Sequence, residues 1–75
     1  MARKNEFYKD VNDAWCSTIY FINPKHQIHV AAAPGVKAQI AKAYIREEKD
    51  RLIKDYINQH PNALAVDKEK YEEVN

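Results

Sequence analysis

The apolar residues of this chain change their period along its length. From Asn5 to Trp15, Phe7, Tyr8, Val11, Ala14 and Trp15 recur at intervals of three and four, one face of a short helix for which Asn5 is a suitable cap. Cys16 to Ile22, CSTIYFI, is a run of β-branched and aromatic residues and predicts a strand. Asn23-Pro24-Lys25-His26 places Pro at the second position of a type I turn, and Gln27 to Ala33 alternates until Pro34-Gly35 ends it, so the two runs form a hairpin. A loop over 23–26 pairs Ile22 with Gln27, Tyr20 with His29 and Thr18 with Ala31. Ile19, Phe21, Ile28, Val30 and Ala32 then share the face that packs on helices, and Thr18, Tyr20, Ile22, Gln27 and His29 share the other.

Val36 to about Gln59 contains neither Gly nor Pro and stops at His60-Pro61-Asn62, which predicts one long helix. Ala38, Ala41, Ile45, Leu52 and Tyr56 form one stripe, and Val36, Ile40, Ala43 and Tyr44 a second stripe confined to the first half. The first half is therefore expected in the core, and the second half presents a thinner seam flanked by Ile53 and Ile57. Between them Arg46-Glu47-Glu48-Lys49-Asp50-Arg51 is a solvated waist, supported by pairs such as Glu47 with Arg51 and Asp50 with Lys54. Twenty-four helical residues span about 36 Å, against about 29 Å for a compact body of this size. The far half, with Leu52, Ile53, Tyr56 and Ile57, either projects, is covered by the apolar segment Ala63 to Val66 folding back over it, or packs against a second copy in an antiparallel homodimer. Asp67 to Asn75 reads as a short charged helix capped by Asp67, or as a frayed tail. The expected architecture is a single α+β domain over 1–75, in the order αββα.

Length sharpens this. Seventy-five residues form one small domain that buries about 60% of its unfolded surface, so a staple or a partner is expected. One Cys cannot form an internal disulfide, and it suits a reducing compartment. The charged start, Met1-Ala2-Arg3-Lys4-Asn5-Glu6, has no apolar run behind it, and nothing approaches the ~18 apolar residues of a membrane span, so a soluble, cytoplasmic protein without membrane partners is expected. Net charge is +1, which argues against a nucleic-acid mimic or a general phosphate-backbone binder. Its distribution is uneven: residues 36–54 carry six cations and three anions, and residues 55–75 two cations and five anions.

Candidate chemistry is sparse. Cys16, His26, His29 and His60 are the only metal set, without zinc-site spacing, and no metal or other cofactor is expected. Cys16, Tyr20 and His29 share the outer hairpin face, but catalysis also needs an orienting carboxylate, an oxyanion site and a pocket, for which 75 residues with one Gly offer little enclosure; with no nucleophile elbow or Gly-rich phosphate loop, no catalytic residue is assigned. Thr18-Ile19-Tyr20, Ile28-His29-Val30 and the helix behind them are similar in order to the opening of GIY-YIG nucleases. The glycines of that motif are missing, and no residue role is carried over.

The leading expectation is a non-enzymatic protein-binding module using Tyr20, His29, Leu52, Ile53, Tyr56 and Ile57. Short chains rich in Lys, Asp, Tyr and Ile and free of catalytic motifs resemble accessory proteins of bacterial viruses. That resemblance implies an inhibitor or modulator of a host nucleic-acid-handling or defence complex, acting by occluding a surface. The alternative is a small nucleic-acid-binding protein using Lys42, Arg46 and Lys49 on the polar side of the long helix, with tyrosines to stack on bases.

Overall fold

The stretch that reads as an N-terminal helix is a tight turn between two strands. The computed structural model describes residues 6–74, so Asn5, the expected cap, lies outside them, as does Asn75. Strand β1, Tyr8–Lys9, leads into Asp10, whose Oδ1 accepts the backbone N–H groups of Asn12 at 2.9 Å and Ala14 at 3.0 Å. The Asp10 amide donates to the Ala14 carbonyl at 3.0 Å, and Asp13 holds φ 61. An Asp side chain that satisfies the backbone two and four residues on offers the chain a turn in place of a helix. The price of this turn is Val11, fully exposed at its tip. The order αββα is therefore corrected to βββαβα.

Strand β2, Trp15–Ile22, is the centre of a four-stranded antiparallel sheet. Strand β3, His26–Ala31, lies along one side of it. On the other side β1 pairs at Trp15 and Cys16, and β4, Leu64–Val66, pairs at Tyr20 to Ile22. The hairpin register joins Thr18 to His29, Tyr20 to Gln27 and Phe21 to His26, two residues from the expected pairing. The turn between the two strands holds Asn23 at φ 62, and the Asn23–Pro24 bond is cis. Because the slip is by two, every side chain keeps its expected face.

Helix α1, Ala38–Gln59, lies on the face carrying Ile19, Phe21, Val30 and Ala32, and adds Ala41 and Ile45 to the buried core together with Ala63. Phe21 is fully buried and stacks on Tyr56 at 4.2 Å between ring centroids. Leu52, Ile53, Tyr56 and Ile57 are half-buried against this same core. The surplus seam of the second half is thus covered by the chain's own sheet. The 63–66 segment helps by a different route from those expected: Ala63 enters the core, and the next three residues extend the sheet beside β2.

The first half of α1 departs from expectation in the other direction. Ile40 is 61% and Tyr44 49% exposed. The sheet covers one side of the helix only; of the second apolar stripe Val36 packs on the core, while Ile40, Ala43 and Tyr44 lie beyond the sheet's reach. In the charged waist, Arg51 pairs with Glu48, three residues before it.

Helix α2, Lys68–Glu73, closes the opposite face of the sheet. Asp67 caps it as expected, Oδ1 accepting the Lys70 amide at 2.9 Å. Tyr71 packs on Tyr20 at 5.0 Å, its hydroxyl accepts from Gln27 Nε2 at 3.1 Å, and Lys25 Nζ lies 4.5 Å from its ring centroid. No helix among the described residues is long and apolar enough to cross a membrane.

Candidate functional site

On the sheet face shared with α2, cross-strand pairing sets Thr18 against His29, and the β1–β2 pairing brings Tyr8 alongside. The Tyr8 hydroxyl lies 2.8 Å from Thr18 Oγ1 and 3.2 Å from His29 Nδ1, and Thr18 Oγ1 lies 3.1 Å from the same nitrogen. His29 thus orders a closed polar triangle. Beside it, β1 and β4 leave the middle of one edge of β2 without a strand partner, and a cavity of about 490 Å³ opens there. Glu6, Tyr8, Thr18, Tyr20, Lys49 and Asp67 contribute to its wall. Lys49, only 14% exposed in its side chain, donates to Glu6 Oε2 and to Ser17 Oγ, both at 3.0 Å, and the Ser17 hydroxyl donates to the Glu6 carbonyl at 2.8 Å. A lysine held this way braces the N-terminal strand on the helix.

The flank of α1 over β1 carries cations on aromatic faces. Lys42 Nζ lies 4.9 Å from the Trp15 centroid and 5.5 Å from that of Phe7, and the Arg46 guanidinium carbon lies 5.2 Å from Phe7. Lys9 reaches Trp15 at 5.2 Å while pairing with Asp13 at 3.0 Å. Each such contact draws a cation to the negative face of a ring. Lys42 and Arg46 are brought together as the nucleic-acid alternative expects, and Lys49 is separated from them by its role as a brace.

The opposite flank holds Ile40 and Tyr44. At about 100° per residue these fall on the other side of the buried Ala41–Ile45 line from Lys42 and Arg46, and so toward β3, whose outer edge pairs with no strand among the described residues. Of the six residues expected to bind a partner, Leu52, Ile53, Tyr56 and Ile57 pack on the core, Tyr20 lies half-buried against Tyr71, and His29 is exposed within its triangle. Ile40 and Tyr44 are the apolar pair that sequence reasoning assigned to the interior. Their spacing of four was visible; that the sheet would cover only one side of α1 was not.

Two ionisable groups are shifted in this end of the molecule. The Ala14 amide, with that of Asn12, holds the Asp10 carboxyl below its ordinary value against a smaller opposing effect of burial. Burial, with the Asp10 charge behind it, pushes the Cys16 thiol up, so Cys16 stays protonated and poorly nucleophilic. His26 and His60 meet on Tyr56, stacking on its ring at 5.0 and 4.3 Å. Among the described residues no group of three or more His, Cys, Asp or Glu side chains is placed to hold a metal ion. Comparison with known proteins finds no matching family model and no curated protein or solved structure of significant similarity.

Proposed function

We propose that this chain is a small non-enzymatic protein-interaction module that acts by occupying a surface of its partner. The observation that carries the reading is the exposure of Ile40 and Tyr44 one turn apart on α1, a rigid helix face that the chain's own sheet leaves uncovered. A paired aliphatic and tyrosine side chain on a preformed helix offers buried area at low ordering cost, with a hydroxyl for the rim. The partner class we put forward is a complex that handles nucleic acid. The exposed Glu69, Glu72 and Glu73 of α2 suit the basic surface of such a partner. The test is capture on immobilised wild-type protein beside Ile40→Lys and Tyr20→Ala variants of unchanged fold. A bound protein lost with Ile40→Lys and kept with Tyr20→Ala supports the reading; equal capture by wild type and Ile40→Lys removes this flank from any interface.

A second reading rests on Lys42 and Arg46 seated over Phe7 and Trp15. Cations interleaved with aromatic rings suit single-stranded nucleic acid, which binds through both phosphate attraction and base stacking.

A further inference from the structure

The uncovered flank of α1 is complementary to itself, and we propose that its occupant is a second copy of this chain, docked about a two-fold axis at the level of Lys42. The inference rests on the reading of this flank as an interaction surface and assigns that surface to a second copy, with which a foreign partner of the same flank competes. Lys37, Ile40, Tyr44 and Glu47 fall within about 80° of arc at 100° per residue, and Lys37 and Glu47 are exposed, like the two apolar residues between them.

A two-fold axis reverses the direction of the second helix, so residues whose numbers sum to a constant meet. With the axis at Lys42, Ile40 meets Tyr44 of the second copy and Lys37 meets Glu47, each contact occurring twice. Both apolar residues are covered and both charges are paired. Sliding one helix past the other by about one turn in either direction, which moves the axis by two residues, loses this. At Tyr44 it sets Lys37 against Arg51 of the second copy, a repulsive pair; at Ile40 it sets Lys37 against Ala43 and leaves Glu47 beyond the helix, opposite Ala33. Of these three registers, only the one centred at Lys42 satisfies the pattern.

Two features of the single chain point the same way. Lys37 stands at the N-cap of α1, makes no side-chain cap, and puts a cation at the positive end of the helix, where an anion or a small hydroxyl residue stabilises and a lysine does not. Glu47 and Lys37 form no ion pair within the chain among the described residues, whereas the neighbouring Glu48 and Lys49 do. A cation that is locally unfavourable, and an anion without an ion-pair partner among the described residues, are both accounted for by a contact with a second copy.

The test is mass in solution by light scattering and sedimentation over micromolar to millimolar protein. The expected result is a shift from 8.8 kDa toward twice that mass with concentration. Ile40→Lys holds the chain at monomer mass, and Lys37→Glu and Glu47→Lys each weaken dimerisation by about tenfold or more, since each sets like charges together twice. The double variant Lys37→Glu/Glu47→Lys recovers the dimer, a rescue that a merely structural role does not produce. Far-UV circular dichroism confirms that each variant remains folded. A wild type that stays monomeric at millimolar concentration overturns the proposal, and so does a dimer that survives all the single substitutions, which places its interface elsewhere, the free edge of β3 being the next candidate. A monomer that captures a foreign protein and loses it with Ile40→Lys overturns the second copy as occupant and leaves the interaction reading standing.

Discussion

Asp10 shows how one side chain redirects a segment. The spacing of Phe7, Val11, Ala14 and Trp15 satisfies a helix, yet a helix leaves its first amides in need of acceptors, and Asp10 supplies an acceptor to Asn12 and Ala14 only in the turn. Those amides hold the Asp10 carboxyl below the ordinary value of about 3.9. A carboxyl whose folded pKa is depressed contributes stability that is present above the unfolded value and is lost as pH falls through the folded value. Acidification from neutral to below about pH 4 is therefore expected to loosen the turn. Asp10→Asn keeps an acceptor oxygen and loses the charge, so it is expected to flatten that part of the pH dependence. The check is hydrogen exchange at the Asn12 and Ala14 amides across the acid range in both proteins; an identical pH response in Asp10→Asn would refute the assignment. The turn chemistry of Asp10 and Asp13 stood in the sequence, but periodicity outweighs it unless the competing hydrogen bonds are counted.

Elements were legible where they bury a face of their own. The hairpin faces follow from the alternation of period two, which a register slip of two residues preserves, and α1 runs within two residues of its expected start because no Gly or Pro interrupts it. Strand β4 carries no such signal: three residues, Leu64–Val66, have no period, and what makes them a strand is the vacant edge of β2 beside Tyr20 to Ile22. Helix α2 has six residues, too few to persist in isolation, so its order depends on docking. Tyr71 is the anchor, through Tyr20, Gln27 and Lys25. Tyr71→Ala is expected to cost about 1–2 kcal/mol, the worth of an aromatic pair and one exposed hydrogen bond. It releases α2 while β4 stays in the sheet. Urea titration measures the cost, and backbone chemical shifts of 68–73 against those of 64–66 separate the two elements; joint loss of both would mean that β4 depends on α2 for its place.

At the scale of the whole molecule, the extents are 37 × 30 × 22 Å and the radius of gyration 13.1 Å, against about 11 Å for a compact chain of this length. The long helix, about 33 Å from Ala38 to Gln59, sets the long axis. Its two flanks then carry different chemistry, apolar toward β3 and cationic over β1, and this division separates the two functional readings. Around the cationic flank, Lys9 is paired with Asp13 and Lys49 with Glu6, which leaves Lys42 and Arg46 as the cations not spent on an ion pair among the described residues. Two phosphates neutralised give a slope of about −1.4 in log affinity against log salt for a single strand, so this surface by itself holds nucleic acid weakly at physiological ionic strength. Retention on a single-stranded DNA matrix is accordingly expected at low salt only, and to vanish in Lys42→Ala/Arg46→Ala. Lys49→Ala should behave otherwise: with the brace between Glu6 and Ser17 removed, stability falls by about 1–3 kcal/mol while retention at low salt persists. Retention that survives the double substitution, or that is lost with Lys49→Ala in a folded protein, would contradict this division of labour among the three residues. Sequence spacing alone groups them on one polar side of the helix; only the packing of Glu6 and Ser17 beneath Lys49 sets it apart.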